Sequence, residues 1–239
     1  MKLNKEKDKR NLKNTLKTIF SKSRYIHTDK IDYKLNYKKG IVSSPEIYLR
    51  NCTPYSEFEV KKVKVVEGVG HRTCRDFGGK NNCTLTALYN LLIYYREKRN
   101  FEKIPDDREK LYELIVKSGR RHLYTKRRGM PVYMNSFFVT DVINRMLKIK
   151  SYKGKMIFFP SKELIMEFLN KDIPFIYSLA LKPYFNHSIV VYGYRVYKEK
   201  TSGKEYTFLL VYDGWAHITR FLSWDNLNRR YTACMTYIK

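Results

Sequence analysis

Residues 81–95 read Asn81-Asn82-Cys83-Thr84-Leu85-Thr86-Ala87-Leu88-Tyr89-Asn90-Leu91-Leu92-Ile93-Tyr94-Tyr95. Nothing here carries a charge before Arg96, and Leu85, Leu88, Leu91, Leu92 and Tyr95 fall on a broad apolar face. The pattern predicts a central, buried helix from Thr84 to Arg96. The loop ahead of it is punctuated by Gly68, Gly70, Gly78 and Gly79, so Cys83 stands at a loop-to-helix junction. There a thiol meets the positive end of the helix dipole and unpaired N–H groups, both of which favour the thiolate. Taken alone, a cysteine at a helix start is more often packing than chemistry.

Two further settings change that balance. His187 opens a β-branched run, Asn186-His187-Ser188-Ile189-Val190-Val191-Tyr192-Gly193-Tyr194, and Asp213 closes another, Leu210-Val211-Tyr212-Asp213-Gly214-Trp215. They lie 26 residues apart, room for two antiparallel strands and the turn Thr201-Ser202-Gly203-Lys204. That places them side by side across a hairpin, where a carboxylate from one strand can orient an imidazole on the other. Cys, His, Asp is an order used by nucleophilic cysteine enzymes, in which the imidazole activates a thiol that otherwise titrates near ~8.5. On their own, His187 reads as a sheet-edge histidine and Asp213-Gly214 as a turn former.

Around these points the chain organises as helices first and strands afterwards. Asp107 to Ser118 opens with two acidic residues and reads as a helix, as does Asn135 to Leu147 with Phe138, Val142, Ile143 and Met146 on one side. Ser161 caps a shorter helix through Leu169. Ile173 to Leu179, Ser188 to Tyr197, Tyr206 to Tyr212 and Tyr231 to Ile238 are strand-like. The expected class is α+β with a largely antiparallel sheet. Residues 1–70 read as a basic N-terminal extension, with an amphipathic helix around Leu12, Leu16, Ile19 and Phe20 and a strand from Phe58 to Val66. Residues 71–239 read as the domain proper.

The 239 residues are 43% hydrophobic and 15% aromatic, which excludes general disorder. Forty-eight Lys and Arg against 23 Asp and Glu leave +25, a balance that favours anionic partners. The densest cluster, Arg120 to Arg128 with Tyr124 inside it, has the phosphate contacts and aromatic ring that grip single-stranded nucleic acid, but reads first as a solvated loop. A basic cleft would attract an acidic peptide or protein substrate; nucleic acid and an anionic membrane surface are the less favoured partners. Cys52, Cys74, Cys83 and Cys234 form no CxxC pair and no disulfide framework, and His71 with Cys74 lacks further ligands nearby. No metal and no cofactor is expected. With no apolar signal region and no long apolar run, the expected location is the cytoplasm, without a transmembrane segment.

The stretch from Asn82 to Leu91 resembles the nucleophile helix of papain-like cysteine peptidases. It is most similar to the branch of bacteriocin-processing, double-glycine leader peptidases and their stand-alone bacterial relatives. His187 with its β-branched run and Gly193-Tyr194 resembles that branch's histidine strand. Asp213-Gly214-Trp215 resembles its Asp/Asn turn, and Phe221-Leu222-Ser223-Trp224-Asp225 its closing strand and short helix; the resemblance runs from about Gly78 to Asp225. It implies a papain-like fold, with a helical half carrying Cys83 packed on a sheet half carrying His187 and Asp213.

The same resemblance implies a thiol hydrolase that cleaves a peptide or isopeptide bond through an acyl-enzyme on Cys83, with His187 as acid and base. The backbone N–H of Cys83 would bind the oxyanion, and Trp215 would shield the His–Asp contact. The family's usual oxyanion Gln, six positions before the nucleophile, is here Phe77. Asn81 and Asn82 are the amides at hand to replace it. The alternatives are a Cys-His-Asp acyltransferase and a non-catalytic peptidase-like module that binds anionic partners. His217, two residues beyond Trp215, is a competing base with no family counterpart.

Overall fold

The computed structural model describes residues 41–180, 184, 186–226 and 233–239. The expected amphipathic helix around residues 12–20 lies outside them. The chain is a mixed helix and antiparallel-sheet protein, as its pattern implied. In order come β1 (Ile41–Val42), α1 (Pro45–Cys52), β2 (Phe58–Val65), α2 (Cys83–Arg99), α3 (Arg108–Arg121), α4 (Asn135–Asp141), β3 (Gly154–Phe158), α5 (Lys162–Asn170), β4 (Phe175–Leu179), β5 (His187–Glu199), β6 (Glu205–Tyr212), β7 (Arg220–Ser223) and β8 (Ala233–Ile238).

Side-chain caps set three helix starts. Ser44 accepts from the N–H of Ile47, with Pro45 in the first turn of α1; Asp107 accepts from Lys110; and Ser161 accepts from Leu164. The third predicted helix stops being α-helical at Asp141 and continues as a π-helical turn from Val142 to Met146. α2 is buried nearly all round over Thr84 to Leu92, with Leu85, Leu88, Leu91 and Leu92 fully enclosed. A helix of that kind belongs in the middle of a domain, and it packs on β4 and β5.

Every strand pair in the sheet is antiparallel, in the order β1-β7-β6-β5-β4-β8-β3. β5 is the organising strand. On one edge it carries β4 along His187–Val191 and then β2 along Gly193–Glu199; on the other it carries β6. The changeover falls at Tyr192, where the N–H of Val66 donates to the Tyr192 carbonyl (2.7 Å). β1 and β2 are therefore ordinary members of the sheet, and the boundary expected at residue 70 separates nothing among the described residues. The reason is non-local: the partners of β1 and β2 lie far downstream, beyond the reach of local pattern. No helix among the described residues is long and apolar enough to cross a membrane.

Where the end of β2 pairs with Gly193 of β5 the backbones come very close. A Cβ on Gly193 would sit 2.4 Å from the Lys64 carbonyl oxygen, so only glycine fits there. Gly193→Ala is expected to lower stability by about 1–3 kcal/mol through overpacking at this contact, read as a lower urea midpoint at unchanged slope.

Candidate active site

Register brings the three predicted residues to one place. Tyr212 at the end of β6 stands opposite Val190, so Asp213 comes level with the start of β5, where His187 pairs with Leu179 of β4. The α2 N-terminus is pinned to the same spot. Thr84 Oγ1 meets Ser188 Oγ at 2.8 Å, and these are the residues immediately after Cys83 and His187. Ser188 in turn meets Ser178 Oγ (2.8 Å) on β4, which receives the Asn135 amide (3.1 Å) from α4. A buried polar chain thus ties α2 to the sheet at the point where thiol and imidazole face each other.

The electrostatics of that pair are reciprocal. Burial pushes the Cys83 thiol up, but the facing His187 charge, a hydrogen bond with its ring, and the N–H groups of Ser188 and Thr84 more than reverse this, and the thiol lies below its ordinary value. Burial likewise pushes the His187 imidazole down. The Cys83 charge and hydrogen bond, the Asp213 carbonyl and the Asp213 charge outweigh it, leaving the imidazole above its ordinary value. A lowered thiol beside a raised imidazole is the condition for a thiolate–imidazolium pair.

His187 Nε2 lies 2.6 Å from the main-chain carbonyl oxygen of Asp213. A carbonyl only accepts, so Nε2 carries a proton and donates it, and Nδ1 is the nitrogen left to exchange a proton with Cys83. This corrects the expected carboxylate-to-imidazole contact: the Asp213 carboxylate is engaged elsewhere. Its Oδ2 faces Arg220 Nε at 2.7 Å and accepts from the Tyr184 hydroxyl (3.2 Å), while Oδ1 accepts from the Trp215 N–H (2.9 Å). Asp213 is fully buried and Arg220 nearly so. The carboxylate fixes the turn, and the turn aims the carbonyl.

Aromatic rings close around the imidazole. Tyr184 stacks on it at 5.3 Å, and Trp215 lies 4.9 Å from it and 5.0 Å from Tyr184. Trp215 therefore packs against both the imidazole and the Tyr184 ring. From the other side, the loop before α2 docks on the same turn. The Cys74 N–H donates to the Gly214 carbonyl (2.8 Å), and a Cβ on Gly214, whose φ is +73°, would approach Cys74 Sγ to 3.1 Å. His217 faces Asp76 (3.5 Å) and the His71 carbonyl (3.2 Å) instead, so the competing base is not at this site.

The oxyanion side differs from expectation. Phe77 stacks flat on Tyr112 (3.8 Å, 7°) and tilts on Tyr89, inside the helical half. The buried Asn82 amide donates to the Cys74 carbonyl (3.1 Å), the Phe77 carbonyl (3.3 Å) and the Tyr112 hydroxyl (3.0 Å). Asn81, left-handed at φ 50°, donates to the carbonyls of Lys126 and Arg127, both at 3.0 Å. Both amides are thus committed to holding loops, which removes the basis for assigning them to a substrate oxygen. The Cys83 N–H has no partner among the described residues, and no side chain caps α2.

No family model, no curated protein and no solved structure matches this chain. The site therefore rests on its own geometry. Thr84, Ser188, Tyr184 and Arg220 belong to it without having stood out in the sequence, because a buried Ser or an Arg in a strand has no local signature.

Asp213→Asn separates the two roles of this residue. The main-chain acceptor for His187 survives, whereas Arg220 loses its buried counter-charge. Expected is a stability loss of about 3–5 kcal/mol by chemical denaturation. Cys83 alkylation at pH 6 in the folded protein should stay within about tenfold of wild type, far from the ~10,000-fold that loss of an orienting carboxylate costs a triad.

Proposed function

We propose that this chain is a papain-like thiol hydrolase, a cysteine peptidase that cleaves a peptide or isopeptide bond through an acyl-enzyme on Cys83. The observation that carries the proposal is the His187 ring, set between the Cys83 thiol and the Asp213 carbonyl, with the thiol held low and the imidazole held high.

In this reading the Cys83 thiolate attacks a carbonyl carbon, and its oxygen takes up the displaced π pair beside the free N–H of Cys83. His187 gives its Nδ1 proton to the leaving amine. It then takes a proton from water as the acyl-enzyme is hydrolysed. An amine in place of water would make the same site an acyltransferase, and product analysis with and without added amine distinguishes the two. The packed-away Phe77 favours the non-catalytic alternative, which the same alkylation experiment decides.

The substrate class follows from charge. Lys126, Arg127 and Arg128 are exposed, have no ionic partner among the described residues, and sit on a loop clamped to Asn81. A substrate with acidic residues beside the scissile bond fits that rim better than a neutral one. The four cysteines are free, which is compatible with a reducing compartment such as the cytoplasm.

The test is the pH dependence of iodoacetamide labelling at Cys83, read by mass spectrometry. Because the thiol is lowered, labelling is expected to persist well below the free-thiol value of ~8.5. Because the imidazole is raised, both partners stay charged between the two values, and peptidase activity should be bell-shaped across that window. His187→Ala removes the cation and leaves the burial penalty, so acid-side labelling should disappear. Labelling that rises only near the free-thiol value, and ignores His187→Ala, would refute the proposal and favour a binding module.

A further inference from the structure

With Phe77 turned into the helical half and the amides of Asn81 and Asn82 committed to carbonyls, the Cys83 N–H is left without its usual companion. One polar group near the thiol is unclaimed. Tyr124 is only 7% exposed, yet its hydroxyl has no hydrogen-bond partner among the described residues. The oxygen is not enclosed either: it reaches solvent, where a substrate group can meet it.

The segment that carries Tyr124 is built against the nucleophile. α3 ends at Arg121, and Leu123 then adopts φ +68°, a left-handed conformation that a bulky residue seldom takes. Leu123 itself is exposed, so its conformation does not serve its own packing. The Tyr124 N–H donates to the Gly119 carbonyl (2.9 Å), and the ring starts so close to Gly119 that a Cβ there would lie 3.3 Å from Tyr124 Cβ.

Just beyond, Thr125 pairs with Gly129, the Asn81 amide clamps Lys126 and Arg127, and a Cβ on Gly129 would lie 3.1 Å from the Asn81 carbonyl oxygen. Tyr124 is thereby held on the Asn81–Asn82 flank of Cys83, whereas His187 approaches from β5. The Cys83 charge reaches the phenol: burial first, and then that charge, push Tyr124 up to about 12. It keeps its proton across the neutral range and is a standing hydrogen-bond donor.

We propose that Tyr124 is a catalytic residue, the second oxyanion donor, which does with a phenol what the missing amide side chain does in related chemistry. The proposal rests on the acyl-enzyme reading of Cys83. When the thiolate sulfur forms its bond to the carbonyl carbon, the carbonyl π pair moves onto oxygen. That oxygen accepts hydrogen bonds from the Cys83 N–H and the Tyr124 O–H, with no proton transferred from either. Collapse returns the pair to the carbonyl bond and expels the leaving group with its own electron pair.

The experiment compares two reactions of one thiol in the full chain. Acylation by p-nitrophenyl acetate passes through an oxyanion and releases p-nitrophenolate as a measurable burst. Alkylation by iodoacetamide displaces iodide and forms no oxyanion. Tyr124→Phe keeps the ring that packs on Gly119. It is expected to slow acylation about 10- to 100-fold while leaving the alkylation rate and its pH profile within about twofold. The unchanged alkylation also certifies that the variant is folded.

Acylation that falls no further than alkylation, whether both hold or both drop together, overturns the role for Tyr124 and leaves the thiol hydrolase standing. A wild-type Cys83 that alkylates only as a free thiol and shows no burst overturns both.

Discussion

The hydrogen bond between Thr84 and Ser188 is the constraint on which the site depends. Neither hydroxyl takes part in the proposed chemistry. Each belongs to the residue next after Cys83 or His187, and the bond therefore fixes the offset between the start of a helix and the start of a strand that are remote in sequence. Its continuation through Ser178 to Asn135 crosses from α2 to β5, β4 and α4 inside the core. A buried hydroxyl that loses its partner costs about 1–3 kcal/mol, so sliding the helix along the sheet is penalised twice, once at each end of the bond. Apolar packing alone, with Leu85, Leu88 and Leu92 as the knobs, would resist such a slide less specifically.

Asp213 divides its work between main chain and side chain. A carboxylate aimed at the imidazole would add charge to the site and titrate with it. A carbonyl oxygen orients Nε2 equally well, and its strength does not change with pH. The carboxylate is then free to make an enclosed cluster with Arg220, Tyr184 and the Trp215 N–H, which sets the turn so that the carbonyl points inward. The charge of Asp213 is largely answered by Arg220, and the pair that remains electrically active is Cys83 with His187. That arrangement explains why their shifts are reciprocal: each is the other's principal counter-charge.

Much of this was readable before any coordinates. Apolar periodicity marked α2, the acidic start marked α3, Ser161 marked α5, and the β-branched runs with Thr201–Lys204 between them marked the β5–β6 hairpin. The pairing of β1 and β2 was not readable, because their partners β7 and β5 are found only after the whole chain has folded. α1 does carry a local sign, Ser44 followed by Pro45 and Glu46, just after a lysine-rich stretch. In the site, Cys83, His187 and Asp213 were legible as residue types in suitable settings. What acts at Asp213 is a main-chain oxygen, and main-chain groups have no letter in a sequence. Asn81 and Asn82 looked like donors for the same reason in reverse. An amide's type is visible, but the carbonyls that claim it are not.

The charge of the chain bears on the same chemistry. Asn81 precedes Cys83 by two residues, at most about 7 Å of backbone, and its amide touches the carbonyls of Lys126 and Arg127. With the reach of the amide and its hydrogen bonds added, the loop backbone lies within roughly 15 Å of Cys83, against a Debye length of about 10 Å at 0.1 M salt, so its field there is weakened but not abolished. A thiolate and an imidazolium cancel at long range, and Asp213 with Arg220 cancel behind them. In the proposed reaction, what the loop's field finds uncompensated is the negative charge that appears on a substrate oxygen, or an acidic residue beside the scissile bond. Positive potential lowers the cost of the first and concentrates the second. Both effects depend on the clamp that Asn81 and Gly129 make, since three lysine and arginine side chains on an untethered loop would spend their charge in solvent.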